Sequence, residues 1–484
     1  MFLAAMEATV VGTAMPTVIA SLGGLELYSW VFSAYLLAST VTVPAWGKLS
    51  DLYGRRPLYL WAISIFLLGS VLSGQAQSMT QLIAFRAIQG LGAGGLLPLA
   101  MTIAAELYTP VERAKIQGYF SGVWGLASIV GPLLGGIITE QISWRWVFYL
   151  NMPFGLAAAI IIGTQFVEER SEGKRSEIDV FGMLSFTVSV TLLMLLLVSS
   201  GETFELLSSI NLALVSGSII AMVLFVRAER RAQEPLIPID LLRQRVIYCA
   251  VINGFLSGMA IFGLISFIPL FVQGVMGTGP TRAGSVLTPL LMGWVVFSIV
   301  GGRMLLWFHF RWVMLAGMLL MVAGFVLLDM MTSQTEIRVV LWNVGLVGSG
   351  MGLVMITQLI AVQSSVSHDR LGIVTSMAQF FRSIGGAVGV ALMGAVMARS
   401  MTTQIAAIGS RVGTGVNQGF QQLVEDPNAF LQPGIRDTVS PELVIAFQSM
   451  LANSLHAVFM VGTVVSILGL LSVALMPSAG LTKS

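Results

Sequence analysis

Apolar runs long enough to cross a bilayer recur along the whole chain, interrupted only by short charged or glycine-containing segments. A spanning helix needs about 20 apolar residues. We read fourteen such runs, at 2–22, 30–46, 58–74, 80–104, 113–138, 146–166, 180–199, 207–226, 246–273, 283–301, 312–331, 339–362, 372–398 and 453–476. With 484 residues, 56% hydrophobic and 10% charged, little chain is left for a soluble domain. A soluble fold of this composition could not cover its surface with polar groups, whereas lipid solvates apolar faces directly. The expected class is an all-α polytopic membrane protein. The first run carries Glu7 and Pro16 with no basic segment before it, so it reads as a retained helix rather than a cleaved signal peptide.

Between the second and third runs lies GKLSDLYGRRP, Gly47 to Pro57, with Lys48 and Asp51 before Gly54 and Arg55 and Arg56 after it. It reads as a short charged loop. Lys and Arg accumulate on the cytoplasmic side of membrane proteins. With the amino terminus inside, 17 of the 25 basic residues fall on the cytoplasmic side and six on the external side, with Arg86 and Arg382 inside spans. Both termini are therefore expected in the cytoplasm. Residues 401–439 form the longest polar segment, external in this topology and rich in glycine, which suits either a cap or partial disorder, the composition favouring disorder.

Two helix starts are written locally. Thr109-Pro110-Val111-Glu112 has the form of a capping box with proline at the first helical position. Ser440-Pro441-Glu442 repeats the hydroxyl and proline, predicting a helix that leads into the last span. A shift of 257 residues aligns Phe85 with Trp342, Gly95 with Gly352, Leu96 with Leu353, Glu112 with Asp369 and Arg113 with Arg370. Such a parallel repeat suits two bundles related by an axis along the membrane normal.

Of 23 acidic residues, Glu7 alone falls inside an apolar run rather than at a loop or helix end. An ionised carboxylate is costly in hydrocarbon, which makes Glu7 the candidate proton site; a solvated position near the interface is the plainer alternative. Arg86, in LIAFRAIQGLGAGG, must find a partner or water. It either tunes a carboxylate or bonds backbone carbonyls. Arg382, with Gln379 one turn before it, poses the same choice in the second half: cavity or packing. Gly131, Pro132, Gly135 and Gly136 in the fifth run permit close helix contact and a bend, which suits either a pivot or simple packing. Cys249 is the only cysteine, and His309, His368 and His456 are far apart in sequence, so neither a disulfide nor a metal site is expected.

Taken together, the loop Gly47, Asp51, Gly54, Arg55 and Arg56, the segment Arg86 with Gln89-Gly90 and Gly94, the run Gly131-Pro132 with Gly135-Gly136, and Glu7-Ala8-Thr9-Val10-Val11 with Pro16 resemble the fourteen-helix drug:proton antiporters of the major facilitator superfamily. The resemblance covers almost the whole chain. It implies the major facilitator fold, two six-helix bundles plus two inserted helices, with 1–170 as the first bundle, 171–232 as the insertion and 233–484 as the second bundle with an external loop near 400–440. It implies export of amphipathic lipophilic compounds across the cytoplasmic membrane by alternating access, driven by the proton gradient without a cofactor. Glu7 and Arg86 would couple protons, and the Gly47 to Arg56 loop would latch one conformation. Gly131, Pro132, Gly135 and Gly136 would form the antiporter element, with Gln89, Gln379 and Arg382 as possible cavity residues. Expected partners are small amphipathic substrates, protons and the lipid bilayer, with no nucleic acid; a monomer and association with a periplasmic adaptor both stay open. No enzyme constellation is visible.

The chain departs from that family in three places. Glu7 stands where aspartate is usual, and Ala127 replaces a glycine four residues before Gly131. The carboxyl-terminal spans lack an interior acid, Asp329 lying near the outer end of the eleventh run, which disfavours strongly dicationic substrates. The rival readings are a dedicated exporter of one metabolite, such as an antibiotic, peptide or siderophore, and, more remotely, a non-transporting scaffold or receptor.

Overall fold

Gly54 marks the first place where the backbone departs from expectation. It has φ 95° and ψ 151°, a conformation essentially restricted to glycine. The segment expected as a loop from Gly47 to Pro57 is instead helical on both sides of it. Lys48, Leu49, Leu52 and Tyr53 carry no strong helix breaker, so the second helix runs on to Tyr53 and the third begins at Arg55. One glycine makes the whole corner.

The computed structural model describes residues 2–107, 123, 126, 127, 130–166, 179–199, 209–231, 241–332, 334–366, 371–411 and 441–477. Its helices are α1 (Phe2–Leu22), α2 (Tyr28–Tyr53), α3 (Arg55–Gln75), α4 (Met79–Leu107), α5 (130–141), α6 (Arg145–Tyr149), α7 (Asn151–Gln165), α8 (Val180–Ser199), α9 (Ser209–Glu229), α10 (Arg245–Leu270), α11 (Pro280–Met304), α12 (Phe310–Asp329), α13 (Ile337–Gln363), α14 (Leu371–Arg411) and α15 (Pro441–Ala474). Among the described residues no strand is present. Among the described residues, ten helical segments are long and apolar enough to cross a membrane, and Val10–Leu22, Tyr28–Val43 and Phe181–Leu193 are shorter apolar helices. The chain is an all-helical, multi-pass membrane protein.

Two further boundaries differ from the sequence reading. The run at 146–166 is broken near Leu150 into α6 and α7. Helix α14 continues to Arg411, so the first residues of the segment expected as an external polar loop are helical, in keeping with the helix formers Met401, Gln404, Ala406 and Ala407. Helix α15 begins at Pro441, where the Ser440-Pro441-Glu442 start placed it, and runs on into the expected last span. The capping box at 109–112, the connection at 200–206, the repeat positions Asp369 and Arg370, and residues 412–439 of the expected loop lie outside the described residues.

Contacts divide the chain into two compact units. The first comprises Met1–Val11, Trp30–Leu196 and Glu205–Pro238; the second comprises Gly12–Ser29, Leu197–Phe204 and Ile239–Ser484. In the first unit the GLGAGG run of α4 packs on two neighbours at once. Added methyl groups at Gly90 and Gly94 would meet Tyr35, Ala38, Ser39 and Thr42 of α2, and those at Gly92 and Gly95 would meet Ala62 and Phe66 of α3 and the Trp46 ring of α2. Lipid tails are as apolar as leucine, so helices associate here through such close packing rather than the hydrophobic effect. Trp46 Nε1 also donates to the Leu91 carbonyl at 2.7 Å. Helices α8 and α9 exchange hydrogen bonds between Ser189 and Ser218, each hydroxyl donating to the other's carbonyl at 2.9 Å.

In the second unit α13 lies against both α11 and α12. Its Gly348 sits on the Leu290 backbone and its Gly350 on Gly317. Helices α10 and α14 pack through Gly385 on Phe255 and Gly389 on Met259, contacts that advance together and make the pair parallel. Large apolar side chains face outward in both units: Trp61, Ile160, Ile219 and Trp342 are 58–70% exposed, a distribution suited to lipid.

Candidate functional site

Arg86 and Gln89 are one turn apart on α4 and so share a face. The glycines that follow draw α4 against α2 and α3, which places that face in the interior of the first unit. Arg86 is 2% exposed, Gln89 0% and Glu7 4%. Glu7 reaches them from α1. Arg86 Nη1 donates to Glu7 Oε1, an ion pair, and also to Gln89 Oε1 at 2.7 Å. Arg86 Nε donates to the Val31 carbonyl at 3.4 Å, and its guanidinium carbon stands 4.2 Å from the centre of the Tyr35 ring. Charge, carbonyl and aromatic face together enclose the cation.

The second carboxylate oxygen is engaged as well. Asn151 Nδ2 donates to Glu7 Oε2 at 2.8 Å and to Ser70 Oγ at 2.9 Å. Gln89 Nε2 donates to the same Ser70 oxygen at 3.3 Å, and Ser70 passes its own proton to the Phe148 carbonyl at 2.8 Å. Both oxygens of Glu7 thus accept hydrogen bonds. The break between α6 and α7 matters locally, because it puts Asn151 at the start of α7, level with Phe148 of α6.

The structure thus brings Glu7, Arg86 and Gln89 into one buried network and adds Asn151, Ser70 and Tyr35, which the sequence reading did not single out. Asn151 had a visible signal, a lone amide in NMPFGLAAAIII. Ser70 and Tyr35 had none, since hydroxyls are ordinary inside membrane helices.

The other predicted residues lie elsewhere. Gly47 is in α2, where an added methyl would meet nothing within 4 Å. Gly54 forms the corner, and Arg55 and Arg56 are half-buried at the start of α3. Arg56 Nη2 donates to the Gly163 carbonyl in the last turn of α7, where a cation complements the carboxyl end of a helix. The side chain of Asp51 lies outside what the structure describes. Gly131, Pro132, Gly135 and Gly136 are all buried in α5. In the second unit Arg382 is 8% exposed and donates to Gln379, which is itself exposed.

An all-helical membrane protein with repeated glycine-mediated helix contacts and one enclosed acid–base pair has the architecture of a polytopic transporter. The Major Facilitator Superfamily model matches residues 1–390, and the chain belongs to that superfamily. It is similar over nearly its whole length to two proteins of Bacillus subtilis (strain 168). Multidrug transporter protein MdtP is 37% identical, over 96% of this chain and 88% of that protein. Multidrug resistance protein 3 is 35% identical, over 99% of this chain and 93% of that protein. Among solved structures, a bacterial homolog of the human lysosomal transporter Spinster superposes with a TM-score of 0.66 at 16% identity, covering 100% of this chain and 96% of that one, a likeness of fold. The resemblance to multidrug exporters within the superfamily is therefore supported from end to end.

Proposed function

We propose that this transporter is a proton-coupled antiporter of the cytoplasmic membrane, with both termini in the cytoplasm, exporting amphipathic lipophilic compounds by alternating access. The observation that carries the reading is the enclosed Glu7–Arg86 pair with Gln89 and Asn151 as its polar support. A buried pair of opposite charges adds little to stability over an apolar replacement of the same shape, so its retention in the interior points to use. Proton entry would neutralise Glu7 and remove its attraction to Arg86, leaving the cation to Gln89, Val31 and the Tyr35 ring. Return of the proton to the cytoplasm would restore the pair. Residues 1–170 and 233–484 would be the two transport bundles and 171–232 a peripheral insertion. Arg55, Arg56 and Asp51 would latch one conformation, Arg56 through its hold on the α7 terminus, and the glycines and proline of α5 would let that helix flex. Similarity to two multidrug proteins supports a broad substrate range.

The test is proton movement in everted membrane vesicles energised and then challenged with lipophilic compounds. The native chain should collapse the proton gradient on addition of substrate, and Glu7→Gln, expressed to the same level, should not. Collapse that persists in Glu7→Gln would remove the proton from Glu7.

A further inference from the structure

The second unit holds a buried cation that the proton site does not use. Arg382 lies in the interior of α14, 8% exposed. A guanidinium offers five N–H donors, and among the described residues its hydrogen bond is to the neutral carbonyl oxygen of Gln379. No carboxylate is available nearby in sequence: residues 245–275, 280–304, 310–328, 337–363, 371–411 and 444–474 contain neither Asp nor Glu. An enclosed cation without a counter-charge is costly unless something else supplies one.

A second orphaned group lies beside it. Gln358 of α13 is 1% exposed. Its Nε2 donates to the Ala250 carbonyl at 2.8 Å, and its Oε1 has no partner. Gly254 and Gly258 are four residues apart on α10 and so share a face, about one turn apart. A methyl at Gly254 would meet the Gln358 amide, and one at Gly258 would lie 3.1 Å from Arg382 Cγ. The Arg382 head turns back along α14 toward Gln379. Because α10 and α14 are parallel, that is the direction in which Gly254 lies from Gly258. The guanidinium and the free amide oxygen therefore lie toward one level of the unit, and the guanidinium's partner Gln379 is exposed.

We propose that Arg382 receives the negatively charged group of an amphipathic substrate, a carboxylate by preference, with the Gln358 oxygen accepting a hydrogen bond from a donor on the same molecule. Planar guanidinium and carboxylate match in a bidentate pair. This rests on the export reading above and narrows it: organic anions belong to the exported class.

The probes are dansyl-aminoundecanoate and its primary amide, which differ in one charged group, with ethidium as a cation. In everted vesicles the native chain should take the carboxylate with an apparent KM roughly 10- to 100-fold below that of the amide. Arg382→Gln should abolish that preference, bringing the apparent KM for the carboxylate level with that for the amide, while Arg382→Lys should keep part of it. A native chain with no preference for the carboxylate overturns the proposal. So does a folded Arg382→Gln that loses carboxylate and amide export in equal proportion. The first comparison uses the native chain, so it decides the matter even where Arg382→Gln does not fold. Export of the amide and of ethidium with no carboxylate preference would sink the anion site and leave the exporter standing. Stronger thermal stabilisation by the carboxylate than by the amide, with no probe exported, would support the anion site and sink the exporter.

Discussion

Arg86 is held by a carboxylate, an amide, a backbone carbonyl and an aromatic ring, and each holds it for a different reason. Removing only the cation strands Glu7 in the interior, which in buried pairs costs about 3–5 kcal/mol, whereas removing both charges together is close to neutral. Arg86→Met should therefore melt well below the native protein in detergent, and Glu7→Gln/Arg86→Met should recover more than half of the difference. A double variant as unstable as the single one would mean that the two side chains are not energetically coupled. The two charged members of this network were legible in the sequence, because an isolated charge in an apolar run demands an explanation. Asn151, Ser70 and Tyr35 were not. Neutral polar side chains are common in such helices, and only the packing of α2 and α3 on α4 and of α7 on α3 shows which of them face the pair.

Among the elements, the α2–α3 corner shows how little chain a reversal needs. Gly54 alone leaves the helical region, and an alanine there would carry the strain of a left-handed backbone, about 1–3 kcal/mol. Gly54→Ala should lower the melting midpoint of the purified protein. Gly47→Ala, where the added methyl meets nothing within 4 Å, should not lower it. Equal midpoints for the two variants would contradict the strained corner. Here the sequence reading identified the turn residue but drew the loop too long, since charges on both sides suggested solvent where the helices continue. The thirteenth run likewise continues farther than expected: residues 401–411, the start of the segment expected as a polar, glycine-rich loop, are helical. In both cases polarity marks departure from the bilayer core, not departure from helical geometry.

At the scale of the whole molecule, the basic residues predict which helix ends face the cytoplasm. His309, at the start of α12, should be cytoplasmic with Arg303 and Arg311 beside it, and Gln334, past the end of α12, should be external. In a chain lacking Cys249, cysteines at His309 and Gln334 should therefore react with an impermeant maleimide from opposite sides of the membrane. Labelling of both from one side would overturn the topology. The compact units cut α1 between Val11 and Gly12, a boundary that hydropathy does not reveal. The beginning of α1 carries Glu7 into the first unit. Its remainder belongs with the second, where Gln273 donates to the Thr13 carbonyl at 3.0 Å. The sequence by itself determined that the chain spans a membrane many times, that it is helical, and where its rare interior charges fall, because hydrocarbon imposes those terms on each segment separately. Only the tertiary structure decided that Glu7 meets Arg86 and Asn151, and that among the described residues Arg382 meets an amide rather than an acid, because partners far apart in sequence are chosen by how closely the glycines let their helices approach.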